Sequence, residues 1–303
     1  MAVLHPDRNF STIAEQARAA AAVLAQLEHA KVGALLAGDS ARKALFCDLD
    51  RSAGAEPLEV RRTLHVRADG ALAADELRPW LKAPRSADAP LRVVVNEGAG
   101  PYLARPCQMG ADVVVEDLRD LFGREVGALA FVGARTDEAL SKFFEAACIE
   151  GRSTQVCHAA DAAIPADAAA ANEAERVLGL LLPQLAMITQ ARCDRALVAA
   201  QYLAHHPRVA DVRYPGLQDD PANSEARRSL EHGFGWRVAF KLPCDSRGFA
   251  HGLWEEPMGF LASCVEQRAG GLCVLHAGLE EALDVVGALE KGIACGDMAD
   301  PRA

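Results

Sequence analysis

The chain has 303 residues, half of them hydrophobic, which is enough to bury a sizeable core in one subunit of two packed domains. Its 32 basic and 42 acidic side chains give a formal net charge of −10, so nucleic acid and anionic membranes are disfavoured as partners because both would repel it. Nine cysteines without a C-x-x-C pair, no signal peptide and no apolar run long enough for a bilayer predict free thiols and a cytoplasmic location.

The first elements are a helix and a buried strand. Residues 11–29 begin with a T-x-x-E capping box, formed by Thr12 and Glu15, and continue with an apolar stripe on one face. The apolar run Val32–Ala37 then predicts a buried strand.

The next interval contains few readable elements. Asp39 is a suitable N-cap for a helix that follows the first strand. Between residues 44 and 91, alternation predicts one strand, Val60–Val66, and helical periodicity predicts one helix near Ala73–Leu81.

Two buried strands follow in quick succession and mark the predicted active-site edge of the sheet. Val93–Val95 form a β-branched run that Asn96 and Glu97 bring to a stop, and Asp112–Val115 repeat the pattern. Ligands of open α/β sheets bind at the carboxyl ends of such strands. Asn96, Glu97 and the segment Glu116–Glu125 are therefore expected at that edge.

The remaining large-domain elements are a strand, a helix, a loop and a long helical region. Gly127–Val132 predicts a buried strand and Asp137–Ile149 a helix. Glu150–Ala171, rich in Ala and Asp, predicts a mobile loop. Asn172–His205 predicts a long helical region, bent at Pro183, that leads into a second domain.

Three stretches of the chain resemble one enzyme family. They are similar to segments of the cystathionine gamma-synthase and cystathionine lyase family. The three stretches are LRVVVNEGAGPYLARPCQMGADVVVEDLRDLFGRE, VADVRYPGLQDDPANSEARRSLEHGFGWRVAFKL and GGLCVLHAGLEEALDVVGALEKGI. The members of this family are pyridoxal-phosphate (PLP) enzymes of cysteine and methionine metabolism. The resemblance implies an α/β chain with PLP-transferase fold type I. It implies a shortened large domain with a mostly parallel central sheet, residues 1–192, and a linking helix with a smaller α+β C-terminal domain, residues 193–303.

The departures from the family fall where its chemistry is located. In the ungapped comparison, the lysine that forms the imine with PLP corresponds to Asp120, and the aspartate that pairs with the ring nitrogen corresponds to Val95. The arginine that grips the substrate carboxylate corresponds to Val274. The S-G-M phosphate loop is replaced by Gly38, Asp39 and Ser40. The resemblance therefore implies no catalytic residues, no cofactor except PLP supplied through a partner subunit, and no metal.

Two pairs of neighbouring residues are candidate metal ligands. His205 with His206, and Cys157 with His158, have side chains that bind metals. Adjacent pairs lack the spacing of zinc sites, so we interpret them as helix-end or loop residues.

The acidic segment after the second valine strand has two interpretations. Arg119, Asp120 and Arg124 would form either a new site on the old edge or a surface salt-bridge cluster, and we favour the cluster. Asp117 and Glu125 approach each other only in some loop conformations.

Three functional hypotheses follow from these residues. The first is a pseudoenzyme that acts as a structural or regulatory subunit, either in a hetero-oligomer with a catalytic PLP-family homologue or as a homodimer. The second is an enzyme of sulfur or related amino-acid metabolism whose chemistry has been rebuilt on the same cleft. The third is a small-molecule sensor in the vacated pocket.

Overall fold

A computed structural model describes ten segments of the chain, which belong to two compact units. The described residues are 23–30, 32–37, 61–64, 74–85, 92–122, 127–132, 157–158, 184–242, 261–267 and 269–295. The first unit comprises Met1–Leu64 and Glu76–Leu185, and the second comprises His65–Asp75 and Ala186–Ala303.

A six-stranded mixed sheet is the framework of the first unit. Its strands are β1 (Val32–Ala37), β2 (Arg61–Leu64), β3 (Val93–Asn96), β4 (Val113–Asp117), β5 (Gly127–Val132) and β6 (Cys157–His158), in the order β2-β3-β4-β5-β1-β6. β2, β3 and β4 are parallel, whereas β5, β1 and β6 each pair antiparallel with their neighbours. The parallel part brings the carboxyl ends of β3 and β4 to the same edge.

Burial on both faces explains why β3 and β4 consist of valine runs. Val94, Val95, Val114 and Val115 are completely buried, as expected for parallel strands that are covered on each side. The helices near these strands are α1 (Ala74–Lys82), α2 (Gly100–Leu103), α3 (Pro106–Met109) and α4 (Leu118–Phe122).

Asp112 ties the start of β4 to the residues before β3. Its carboxylate accepts two hydrogen bonds from the guanidinium of Arg85, at 2.5 and 2.6 Å, and one from the backbone N–H of Arg92, at 2.7 Å. The Arg92 guanidinium in turn donates to the carbonyl oxygen of Leu81, at the end of α1. This network fixes the register in which the two valine strands reach the sheet edge.

The second unit contains a separate antiparallel sheet with three helices. Its elements are α5 (Leu185–His205), β7 (Asp211–Arg213), α6 (Asn223–Ser229), β8 (Arg237–Lys241), β9 (Cys264–Gln267), β10 (Leu272–His276) and α7 (Ala282–Cys295), with the strand order β7-β8-β10-β9. Trp236, Tyr214 and Phe240 are its largest fully buried side chains. The Arg192 guanidinium lies 4.1 Å from the centre of the Trp236 ring, which attaches α5 to the sheet.

The Y-P-G-L turn is held by a buried carboxylate. Asp220 accepts hydrogen bonds from the backbone N–H groups of Tyr214, at 2.9 Å, and Ala222, at 2.8 Å. The Tyr214 hydroxyl donates to the carbonyl oxygen of Gly235 at 3.0 Å. This turn therefore packs as part of the core.

A second polar network closes the end of β10. The Glu280 carboxylate accepts from the N–H of Ser263 at 2.6 Å and from its hydroxyl at 2.7 Å, and the Ser263 hydroxyl oxygen accepts from the N–H of Gly278 at 2.7 Å. A Cβ on Gly278 would lie 2.3 Å from the carbonyl oxygen of Leu261. Only glycine fits this close approach.

The predicted elements can be compared with the described ones. The strands at Val32–Ala37 and Gly127–Val132 have the predicted bounds, and the predicted strands at Val60–Val66 and Asp112–Val115 correspond to β2 and β4. Within the predicted loop 150–171, Cys157–His158 form the short strand β6. The predicted helix Asp137–Ile149 lies outside the described residues. Within the segments that are described, no helix has the length and apolar character needed to cross a membrane.

We predict that Gly278→Ala destabilises the second unit by several kcal/mol, because the new methyl group would collide with backbone atoms of Leu261 and Ser263. Gly287→Ala in α7 is the matched control, since nothing lies within 4 Å of the added Cβ and alanine favours the helix by about 1 kcal/mol. Urea unfolding followed by hydrogen exchange of β9 and β10 measures both effects. Equal stability of the two variants would contradict the prediction.

Candidate functional site at the carboxyl ends of β3 and β4

The candidate site lies where the two parallel valine strands end together. Val93, Val94 and Val95 of β3 pair with Val113, Val114 and Val115 of β4, so the next residues of both strands reach the same edge. Such an edge is the usual ligand position of an open α/β sheet. We call it the strand-end rim, and it consists of Asn96, Glu97, Gly98, Glu116, Asp117 and Asp120.

An amide–carboxyl hydrogen bond joins the two strand ends. The Asn96 side-chain nitrogen Nδ2 donates to Oε1 of Glu116 at 2.6 Å. Asn96 is 1% exposed and Glu116 is completely buried. The Asn96 oxygen Oδ1 and the Glu116 oxygen Oε2 are buried and have no hydrogen-bond partner. One bond therefore satisfies only half of each side chain.

Glu28 contributes a second buried carboxyl group from the turn before β1. Its Oε2 accepts from the backbone N–H of Cys107 at 3.3 Å, and its Oε1 has no partner. Burial raises the pKa of Glu28 to about 8, although the Cys107 N–H and the positive charge of Arg105 lower it. Burial and then the charge of Glu28 raise the pKa of Glu116 well above its usual value.

The Cys107 thiol is not a nucleophile in this environment. Burial first, and then the negative charges of Glu28, Glu116 and Asp112, raise its pKa well above the ordinary thiol value. It therefore stays protonated at neutral pH.

The carboxylates at the end of β4 and in α4 accept hydrogen bonds from backbone N–H groups. Asp120 Oδ2 accepts from the N–H of Gly98 at 2.6 Å, and Asp117 Oδ1 accepts from the N–H of Arg119 at 2.9 Å. Gly98 has a φ of 74°, a left-handed conformation that glycine adopts without strain. Asp120 thus holds the loop after β3 against the first turn of α4.

The other predicted site residues are distributed between the two units. Val95 lies in β3 of the first unit and is completely buried, and Val274 lies in β10 of the second unit and is 1% exposed. Val274 packs in an apolar cluster with Ala239 and Leu272. The phosphate-loop positions Gly38, Asp39 and Ser40, and the candidate partners Arg124 and Glu125, lie outside the described residues.

The structure describes both pairs of residues that were considered as candidate metal ligands and interpreted as helix-end or loop residues. His206 Nε2 lies 3.3 Å from Oε2 of Glu290, and His205 Nδ1 contacts the carbonyl oxygen of Gln201 at 2.8 Å, one turn earlier in α5. Cys157 and His158 form the two-residue strand β6. Across the ten described segments, no three His, Cys, Asp or Glu residues are arranged to hold a metal ion.

The sequence predicted residues of the rim but did not predict the buried carboxyl groups of Glu28 and Glu116. Asn96 and Asp120 were expected at this edge, and both lie there. Glu28 was only part of the first predicted helix, and Glu116 was only the first residue of an acidic segment. A carboxylate inside an apolar helix stripe or directly after a buried strand was the available signal.

The chain is similar in sequence to a cystathionine synthase and a cystathionine lyase. The chain is 26% identical over 223 residues to a cystathionine gamma-synthase of Mycobacterium bovis, covering 66% of this chain and 53% of the relative. It is 30% identical over 159 residues to a cystathionine beta-lyase of Coxiella burnetii, covering 51% and 36%. The chain thus spans about half the length of the first of these relatives and about a third of the second. No family model matches the chain.

A solved structure matches nearly the whole chain. Cystathionine gamma synthase from Xanthomonas oryzae pv. oryzae, in complex with aminoacrylate and cysteine, superposes with a TM-score of 0.70 and 16% identity over 98% of this chain and 91% of that one. The predicted fold class is confirmed: the chain has the fold type I architecture of PLP-dependent cystathionine synthases and lyases. The relatives that the chain resembles in sequence are a cystathionine gamma-synthase and a cystathionine beta-lyase.

These comparisons correct one prediction. The expectation of no cofactor, with PLP only through a partner subunit, is wrong, because the relatives are PLP-dependent enzymes and the neighbouring structures contain PLP. Single substituted positions do not exclude a large cofactor, because its binding is spread over many contacts.

The described rim side chains do not by themselves fit PLP. The cofactor carries a phosphate dianion that needs hydrogen-bond donors and an aldehyde that needs a primary amine. The rim contains Asn96 and four acidic side chains, Glu97, Glu116, Asp117 and Asp120, and none of its members is a lysine. Asp117 and Asp120 would repel a phosphate placed between them. The described rim side chains therefore do not match the PLP chemistry of these relatives.

We predict that Asn96→Asp destabilises the first unit by about 1–3 kcal/mol at neutral pH, because it replaces the amide donor to Glu116 with a third carboxyl group in a buried site. The loss should shrink in acid, where the new carboxyl group can carry a proton and donate. Thermal unfolding of both proteins at acidic and neutral pH measures this, with Asn96→Leu as the control that removes the donor without adding an acid. A loss that is independent of pH in both variants would contradict the electrostatic explanation.

Proposed function

We propose that the protein is a catalytically degenerate homologue of the cystathionine gamma-synthase/lyase family that acts as a structural or regulatory subunit associated with a catalytic homologue. The observation that carries this proposal is the role of Asp120. It occupies the position that the resemblance assigns to the imine lysine, and its carboxylate holds the N–H of Gly98 at 2.6 Å. A carboxylate cannot form an imine, so this residue serves the structure of the rim.

Two further positions support the same proposal. Val95 and Val274 stand where the resemblance expects a ring-nitrogen aspartate and a substrate-binding arginine. Val95 is completely buried in the parallel sheet, and Val274 is buried against Ala239 and Leu272. Both are apolar packing residues and supply neither a charge nor a hydrogen-bond donor.

The proposed association draws support from the surface of the second unit. Met187 and Val198 are 64% and 39% exposed, and they lie eleven residues, close to three turns, apart on the same face of α5. Leu283, in the first turn of α7, is 82% exposed. A partner subunit would remove these apolar side chains from water. The catalytic homologue is the proposed partner, and a homodimer is the alternative assembly.

The proposal places the protein in the cytoplasm. Cys193 and Cys273 are free cysteines, and both are buried. Free thiols persist in a reducing compartment. Their raised pKa values, which burial causes at Cys193 and Cys273, are those of structural thiols.

One observation favours an alternative enzyme with rebuilt chemistry on the same cleft. Glu28 and Glu116 are carboxyl groups with raised pKa values beside the rim, and such groups often act as general acids or bases. Both are completely buried, however, so a substrate on the rim would not reach them. The subunit proposal is therefore preferred.

Association with a catalytic homologue is tested by co-expression with a full-length family member from the same genome. We expect the two chains to elute together in size-exclusion chromatography with light scattering. Met187→Asp with Val198→Asp should weaken the complex, because both changes place charges on the apolar face of α5. Gln218→Asp, on an exposed loop, is the control and should leave it intact. A soluble monomer that ignores the co-expressed homologue would refute the proposed association.

We also predict that Asp120→Lys does not create cystathionine lyase or synthase activity. The new lysine would lose the bond to Gly98 and stand near buried Glu116, while Val95 and Val274 would still supply no polar contact. Each missing charged contact in a desolvated site is worth about a few kcal/mol of transition-state stabilisation. Release of thiol or 2-oxo acid from cystathionine, with PLP supplied, measures turnover, and the catalytic homologue is the positive control. Turnover by the unmodified chain or the single variant would argue for the rebuilt enzyme.

A further inference from the structure

Three buried side-chain oxygen atoms of the first unit have no hydrogen-bond partner. They are Oε1 of Glu28, Oδ1 of Asn96 and Oε2 of Glu116. All three are acceptors when the carboxyl groups are ionised, so none can satisfy another. A buried acceptor without a donor is strongly disfavoured. The missing component is a donor, and a proton on either carboxyl group supplies one.

The charges that face Glu28 and Glu116 also disfavour two ionised carboxylates. The backbone N–H of Cys107 donates a hydrogen bond to Glu28, and the Asn96 amide donates one to Glu116; both donors are neutral. The positive charge of Arg105 lowers the pKa of Glu28. The negative charges of Asp120 and Asp117 raise the pKa of Glu116. The one cation among these groups is outnumbered by the acidic side chains.

A bound metal ion would be another way to neutralise this cluster. Metal sites bring together three or more donor side chains of the His, Cys, Asp and Glu type. The described residues contain no such arrangement, although Glu28, Glu116 and Cys107 act on one another. Protons are therefore the neutralising species that the geometry favours.

We propose that the buried carboxyl groups of Glu28 and Glu116 carry protons that hold the strand-end rim together in acidic and neutral solution, and that their loss loosens the rim in alkaline solution. The pair joins four pieces of the first unit: the turn at residues 28–30, the start of α3, the end of β3 and the end of β4. Loss of protons to solvent leaves buried carboxylates and removes the O–H donors from these groups. The rim would loosen because it contains Asn96, which donates a hydrogen bond to Glu116, and Asp120, whose charge acts on Glu116.

The direction of the pH dependence follows from the pKa shifts. Burial raises the pKa of folded Glu28 to about 8, from 4.5 for an ordinary glutamate. Between these values the folded chain holds a proton that the unfolded chain has released. The stability of the first unit should therefore fall as pH rises through this window and level off above it. For one proton, the unfolding constant increases about tenfold per pH unit.

Infrared spectroscopy across a titration from mildly acidic to alkaline pH tests the pair directly. The wild-type protein should show the carbonyl band of a buried protonated carboxylic acid at neutral pH and lose it in alkaline solution. Glu28→Gln and Glu116→Gln should each reduce this band. Glu231→Gln, which changes an exposed glutamate, should leave it unchanged. In the wild type, hydrogen exchange of residues 93–122, corrected for intrinsic rates, should increase as the band is lost.

Proton release on unfolding provides a second measurement. Calorimetry at mildly acidic pH, in buffers of different ionisation enthalpy, should show about one proton fewer released by Glu28→Gln than by the wild type. Absence of the protonated band from the wild type at neutral pH would overturn the proposal without requiring any variant to fold. A band of undiminished intensity in both folded glutamine variants would overturn it as well.

Discussion

The hydrogen bond between Asn96 and Glu116 is the contact on which the geometry of the strand-end rim depends. Two parallel strands with both faces covered must be apolar along their length, and the valine runs of β3 and β4 meet this requirement. Their first polar side chains then meet at the sheet edge in a site that excludes water. Only half of each polar group is satisfied there, and the charge of Glu28 further raises the pKa of Glu116.

This arrangement explains how the rim differs from a cofactor-binding edge. Phosphate binding at a helix start uses backbone N–H groups that point outward at the ligand. In this chain, the N–H groups of Gly98 and Arg119 are occupied by Asp120 and Asp117. The fold is that of PLP-dependent cystathionine synthases and lyases, and the relatives are PLP enzymes, but the described rim uses its donors to stabilise its own loops.

The second unit shows why the fold persists when individual site positions change. Asp220 and Gly235 hold Tyr214, and Ser263 holds Gly278. Each of these contacts is a hydrogen bond between a side chain and the backbone. Val274 occupies a core position in β10. A valine suits this position, because burial of an apolar side chain is favourable there.

The sequence by itself determined the strands β1 to β5 of the first unit, because hydrophobic periodicity is a local property. Val32–Ala37 and Gly127–Val132 were predicted at their bounds, and the polar residues after Val95 and Val115 were placed at the rim. The tertiary structure alone decided which of these strands run parallel, and it brought Glu28 from the start of the chain to the end of β4. Long-range pairing and desolvation depend on neighbours that are distant in sequence, so the pairing of Glu28 with Glu116 and the raised pKa values of both groups could not be derived from either residue's local sequence.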